Sequence, residues 1–251
     1  MERVRKSNIL SSLDTSVVLY NKNSKLSNVG DQQMPQWPGR FEEHRLANVG
    51  MDIYGYLTHI IEHYHDLPNF LFIINGGTDR SENKLHRLKY LVKHWPLAEL
   101  CGYVDTGSEG LDANFFLDEW ATNNPANRNP EGSQLTPAPV RPFGRWYETF
   151  VGPWRCAEHT GVNFTNVFVV RRDRILQHPL ALYEELKQQL EQGGKQSEVA
   201  HYIERVFRSL FNQEWHHSPV HVPGSKKTKT KTKTKTKTKT SSSLRRSRKS
   251  A

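Results

Sequence analysis

Leu46 to Thr78 reads LANVGMDIYGYLTHIIEHYHDLPNFLFIINGGT, a loop, an amphipathic helix, a tight turn and a short buried strand that closes on two glycines. Ile53, Leu57, Ile60, Ile61 and Tyr64 follow the three-or-four spacing that turns one helical face to a core. Asp66-Leu67-Pro68-Asn69 stops that helix, because proline disfavours helical geometry in the residue before it. Phe70 to Ile74 is a continuous apolar run, the pattern of a strand buried on both faces of an α/β sheet. Both ends of the unit expose backbone N–H groups. Asn48, Gly50 and Asp52 precede the helix, and Asn75, Gly76, Gly77, Thr78 and Asp79 follow the strand. Helix starts attract phosphate or carboxylate groups, and glycines let backbone approach a ligand. Taken singly, Asn48 or Asp52 reads equally as a cap, and Gly76-Gly77 as a plain turn.

Outward from this unit, Val17 to Tyr20 is β-prone and ends in Asn21-Lys22-Asn23. A polar stretch with Gly30, Pro35, Pro38 and Gly39 reads as a long loop into the central unit. Leu85, Leu88, Leu91 and Val92 set a helix over residues 80–93 that ends before Pro96. Leu100 to Val104 reads as a strand with Asp105 at its exit, and residues 122–145 show no periodicity. Val162 to Val170 is the strongest strand of the second half. Residues 174–192 are helical with a break at Pro179. Residues 198–211 carry the clearest apolar stripe, with Glu204 at its edge.

Alternating strands and helices predict a single α/β domain over residues 16–222 with a mostly parallel central sheet. Ligands of such sheets sit at the carboxyl ends of the strands. Residues 1–15 read as a flexible N-terminus, and residues 223–251 as a disordered Lys/Thr- and Arg/Ser-rich tail.

Charge is distributed unevenly. Residues 226–251 hold nine lysines, three arginines and no acid, whereas the whole chain is +9, so residues 1–225 carry a net −3. The basic character belongs to the tail, and the body lacks the charge that nucleic-acid binding requires. The tail suits contact with an anionic polymer or an acidic membrane surface; a solubilising repeat expansion fits the Lys-Thr alternation equally well. No apolar run is long enough for a membrane span, and neither that feature nor a secretory signal is seen, which predicts a cytoplasmic protein. Cys101 and Cys156 fit no metal-knuckle spacing and read as free thiols.

No Walker loop, HExxH, CxxC or nucleophile-elbow pattern is present. His59 and His63 lie beside the apolar stripe and read as satisfied histidines rather than metal ligands. The chemistry left to the chain is a set of carboxylates at strand exits and helix faces: Asp52, Asp79, Asp105, Glu158 and Glu204. Such groups bind sugar hydroxyls, hold a divalent ion or act as a general base.

The order of these pieces resembles a domain-of-unknown-function family. That family runs from a strand with Tyr-Asn-Lys to Leu-Pro-Asn-Val-Gly-Arg-Glu, then Tyr-Leu-x-x-Ile-Ile-x-x-Tyr-x-x-Leu-Pro. Tyr20-Asn21-Lys22, Leu46 to Asp52, Tyr56-Leu57, Ile60-Ile61, Tyr64 and Leu67-Pro68 match it here. Phe168 to Ile175, Pro179, Tyr183, Glu204-Arg205 and Phe211 continue the match, over residues 17–212. The layout is similar to that of GT-A-type glycosyltransferases. The resemblance implies transfer of a sugar from a nucleotide-sugar donor to a glycan or other hydroxyl acceptor. It implies a donor pocket lined by Asn21, Asn48, Gly50 and Asp52, the helix start facing the diphosphate, with Asn75, Gly76 and Gly77 near the sugar. Glu204, Glu158 and Asp79 are the implied catalytic candidates. Met51 stands where the family pattern has arginine. No Asp-x-Asp occurs, so a divalent cation (Mn²⁺ or Mg²⁺) would fall to Asp79 or Asp105, or the reaction would run without metal. A non-catalytic glycan- or protein-binding member of the same fold, tethered by its basic tail, is the alternative.

Overall fold

A computed structural model describes residues 16–22, 39–78, 81–107, 109–117, 135–153, 161–163 and 166–212. They form a mixed α/β body. The strands are β1 (Val17–Asn21), β2 (Phe41–Arg45), β3 (Phe70–Ile73), β4 (Tyr103–Asp105), β5 (Glu109–Gly110), β6 (Gly161–Val162) and β7 (Phe168–Arg171). The helices are α1 (Ile53–Glu62), α2 (Glu82–His94), α3 (Leu97–Cys101), α4 (Phe143–Phe150), α5 (Arg172–Leu176), α6 (Leu180–Gly193) and α7 (Glu198–Phe211).

The mostly parallel central sheet expected of a GT-A-like domain is corrected by the pairings. The largest sheet has three strands in the order β3-β7-β4, and β7 runs antiparallel to both neighbours. A helical crossover does carry the chain from β3 to β4 in the same direction. It leaves a one-strand gap, however, and β7, from later in the chain, fills that gap. The strand–helix alternation that suggested a parallel sheet reports the crossover and is silent about a later strand inserted into it. β1 and β2 form a separate parallel pair, and β5 and β6 a short antiparallel one.

Period-two alternation gives the sheet two apolar faces. Leu71, Ile73, Tyr103, Phe168 and Val170 point into the main core with residues of α1, α4, α5, α6 and α7. Phe70, Phe72, Val104, Val167 and Val169 face a second cluster built on Leu88, Leu91, Val92 and Ala98. Burial of the β3 run on both sides therefore holds through Ile73, whereas Ile74 lies beyond the strand and is exposed. The aromatic stripe of α7 (Tyr202, Phe207, Phe211) is sealed against Phe143, Trp146 and Phe168.

Several boundaries move. Residues 97–101 are helical, so the β4 strand begins at Tyr103, with Gly102 in the left-handed conformation between them. The strand expected over residues 162–170 is divided, β6 ending at Val162 and β7 beginning at Phe168, with Asn166 before it at φ +49°. Pro179 caps α6 and separates it from α5, the break expected there. β2 and α4 carry no clear sequence signal of their own.

One buried acid organises the loops around α7. Glu198, fully buried at the first position of that helix, accepts from the Leu117 and Ala138 amides (3.0 and 2.8 Å), Arg141 Nε (2.6 Å) and the Tyr202 hydroxyl (3.1 Å). A carboxylate at a helix start is favoured by the dipole, and its four donors offset the cost of desolvation.

Candidate functional site

The antiparallel placement of β7 builds the site. Ile73 pairs with Phe168, so the chain leaving β3 and the chain entering β7 stay opposite one another. Two residues further along each stand Asn75 and Asn166. Between them lies Asp52, which immediately precedes α1. Its Oδ2 accepts from Asn75 Nδ2 and from the Tyr56 hydroxyl (3.0 Å). Asn166 Nδ2 lies 3.3 Å from both carboxylate oxygens. The start of the central helix and the end of the central strand thus converge on one carboxylate.

Each donor is itself fixed. Asn75 Oδ1 accepts from the Gly77 amide at 2.8 Å, an Asx-type turn that locks the amide orientation. Tyr56 lies one helical turn from Asp52 on α1. Met51, at φ +54°, is a non-glycine residue in the left-handed region directly before Asp52. Such strain clusters at functional sites, where the surroundings over-determine it. Lys22, at the exit of β1, holds this turn through Nζ, which donates to the Val49 carbonyl at 2.5 Å and to the Met51 carbonyl. Burial pushes the Lys22 ammonium down to about 8, against the raising influence of Asp52.

The other wall is α7. Glu204 and His201 sit one turn apart, Glu204 Oε2 lying 3.9 Å from His201 Nδ1, with 13% of each side chain exposed. Burial, reinforced by the Asp52 charge, pushes the Glu204 carboxyl up to about 8, although Arg205 and Lys84 pull the other way. Burial and Arg205 lower His201 to about 4, while Asp52 opposes them. Arg205 stacks over the Phe115 ring at 3.5 Å and donates to the His201 carbonyl at 2.7 Å. At neutral pH Glu204 is therefore mostly protonated and His201 neutral, both within electrostatic range of Asp52. A buried carboxyl held protonated by desolvation and a neighbouring charge is a pattern of functional sites.

The sequence-predicted residues divide into three groups. Asp52 and Asn75 are hydrogen-bonded, and Glu204 lies within electrostatic range of Asp52. Gly50 is buried instead: its N–H donates to the Gly194 carbonyl at 3.0 Å, and a Cβ there would lie 2.8 Å from Leu190. Asn21 donates to Glu43 on the β1–β2 pair (2.8 Å), Asn48 is exposed in the loop before α1, and Gly76 is exposed in the turn after β3. The Gly77 amide is used by Asn75. Asp79, Glu158 and Cys156 lie outside the described residues, as does the basic tail.

Asp105 does not suit a divalent ion. Its carboxylate is filled by the Tyr103 hydroxyl and the Gly107 amide (both 2.9 Å), with Arg208 Nη2 at 3.6 Å. Magnesium and manganese keep waters and need open oxygen ligands, which this buried knot does not supply. Among the described residues no group of three or more His, Cys, Asp or Glu side chains is arranged around a metal position. The histidines flagged along α1 are satisfied by neighbours: His59 meets the Tyr20 hydroxyl at 3.0 Å, and burial lowers it to about 4.

Lys22, Tyr56, His201 and Asn166 join the site without having been singled out as site residues. Lys22 and Tyr56 stand in the motifs quoted above. His201 shares a largely buried edge of α7 with Glu204. Asn166 is hidden inside what reads as an unbroken strand.

Among the described residues no helix is long and apolar enough to cross a membrane. No curated protein and no solved structure matches the chain. Residues 25–229, most of the chain, match the sequence model of a family described as proteins of unknown function, DUF3431, and the chain belongs to that family.

Proposed function

We propose that this protein is a glycosyltransferase-like enzyme that moves a sugar from a nucleotide-sugar donor to a hydroxyl acceptor. The observation that carries the proposal is the Glu204 carboxyl, largely buried, raised to about 8, and electrostatically coupled to Asp52 where α1 and β3 converge. With that value about a tenth of Glu204 is ionised at pH 7, close to the compromise a general base needs between availability and strength. In the reaction, Glu204 takes the acceptor O–H proton while that oxygen forms a bond to the anomeric carbon. The nucleoside diphosphate departs with the electron pair of the old glycosidic bond. His201 and Arg205 hold the Glu204 side of the site, and Asp52, Asn75 and Asn166 hold the sugar side. The proposal rests on this chemistry, since a mainly antiparallel three-stranded sheet lends no support to GT-A membership.

A thermal-shift screen of UDP- and GDP-sugars, with and without Mn²⁺, tests it, followed by donor turnover. The expected result is a raised melting temperature with one donor. Turnover should fall by about 10² to 10⁴ in Glu204→Gln, the range typical of a lost general base. No shift and no turnover with any donor would overturn the reading.

One observation favours the alternative, a non-catalytic glycan- or protein-binding member. Asp52 spends its acceptors on three internal donors, as a structural hub does. Glycan binding without donor turnover would support that role. Turnover that disappears in Glu204→Gln would exclude it.

A further inference from the structure

Asn166 is 3% exposed, and its Nδ2 is committed to Asp52. Its Oδ1, on the same amide carbon, has no hydrogen-bond partner among the described residues. Buried carbonyl oxygens in native proteins are almost always satisfied, and one left without a donor marks a missing partner. The amide cannot be relieved by a flip, because that would set its oxygen against the Asp52 carboxylate. The backbone at this position lies in the left-handed region, at φ +49°.

The neighbours fix what the missing partner can be. Asp52 is an acceptor only, as is Oδ1. Lys22, a cation beside the helix start, is turned onto the Val49 and Met51 carbonyls. The Gly50 amide is used by Gly194. A phosphate would meet a carboxylate at the very helix start that otherwise suits it. A group rich in O–H donors meets matching acceptors.

We propose that the position beside the Asp52–Asn166 pair, on the side of Asn166 Oδ1, is a subsite for a neutral sugar hydroxyl pair, which donates to Asn166 Oδ1 and to Asp52, and that the diphosphate of a donor lies elsewhere. This deepens the glycosyltransferase-like reading and rests on it for the identity of the sugar-bearing ligand, but the hydroxyl chemistry can be tested alone. Asn166 is here a substrate-binding residue rather than a turn residue only.

The experiment uses the full-length protein with ¹⁵N-labelled asparagine and follows the side-chain amide signals of Asn166 and Asn75. Methyl glycosides of glucose, galactose, mannose and N-acetylglucosamine are titrated separately, and inorganic pyrophosphate is titrated in parallel. The expected result is a saturable shift of the Asn166 amide with at least one glycoside and none with pyrophosphate. In Asn166→Gly, which keeps the left-handed backbone, the same glycoside should no longer move the Asn75 amide, with the spectrum otherwise that of a folded protein. A shift with pyrophosphate, no shift with any glycoside (a resident water then being the missing partner), or an unchanged response in Asn166→Gly would each overturn the subsite. Glycoside binding without turnover of any nucleotide sugar would support the subsite while removing the transferase reading.

Discussion

Glu204 is the residue whose titration says most about the site. An unperturbed glutamate ionises near 4.5, whereas here burial and Asp52 hold it at about 8. Between those values the unfolded chain has released a proton that the folded chain keeps. The stabilisation from the neutral form is thus complete below the lower value and is lost as pH rises through the upper one. Glu204→Gln removes that slope, so its stability relative to wild type should improve from about pH 5 to about pH 8, by roughly a few kcal/mol. Urea unfolding of both proteins across this range checks it. His201 acts in the opposite sense at lower pH. Its value falls from 6.5 to about 4, so its stabilisation is present above 6.5 and is lost as pH falls towards 4. The charged or titratable groups that act on Glu204 are Asp52, His201, Arg205 and Lys84, and none is removed by the substitution.

At the level of elements, the apolar periodicities of α1, α2 and α7 were readable because each buries one continuous stripe. The Glu198–Phe211 helix matches its sequence pattern end to end. The partner of β3 was not readable. Strand runs state burial and not direction, and β7 arrives from nearly a hundred residues later. The convergence of Asn75 and Asn166 on Asp52 depends on that pairing, so the site was legible at Asp52, Asn75 and Glu204 and not at Asn166. Phe143 and Trp146 of α4, fully buried, were masked by the prolines and glycines around them. Gly50 shows the same limit. Its sequence context suggests room for a ligand, whereas the fold uses the missing Cβ to seat Leu190 of α6 against the entry to α1. Gly50→Ala should therefore destabilise the protein by about 1–3 kcal/mol through overpacking and a strained φ of +56°. Thermal unfolding measures the loss, and a neutral result would mean that α1 and α6 do not meet at this residue.

For the whole molecule, body and tail have opposite charge, a net −3 over residues 1–225 against +12 over residues 226–251. The family match ends at residue 229, before most of the Lys-Thr repeat. Deleting residues 226–251 should leave the melting temperature within about 1 °C of wild type, because the only large apolar residue removed is Leu244. The same deletion should abolish salt-sensitive binding to heparin, in keeping with electrostatic attachment that falls as salt rises. Heparin affinity that survives the deletion would place the basic surface on the body instead.

The site is assembled from the exit of β1, the start of α1, the exit of β3, the approach to β7 and the middle of α7. Its central physical claim is that Asp52 and Glu204, far apart in sequence, share one electrostatic environment. Site-resolved ¹³C titration of the Glu204 carboxyl, in wild type and in Asp52→Asn, tests this most directly. The account predicts a midpoint near 8 in wild type that moves down towards the ordinary carboxyl range when the Asp52 charge is removed. A wild-type midpoint near 4.5, or one that ignores Asp52→Asn, would contradict it.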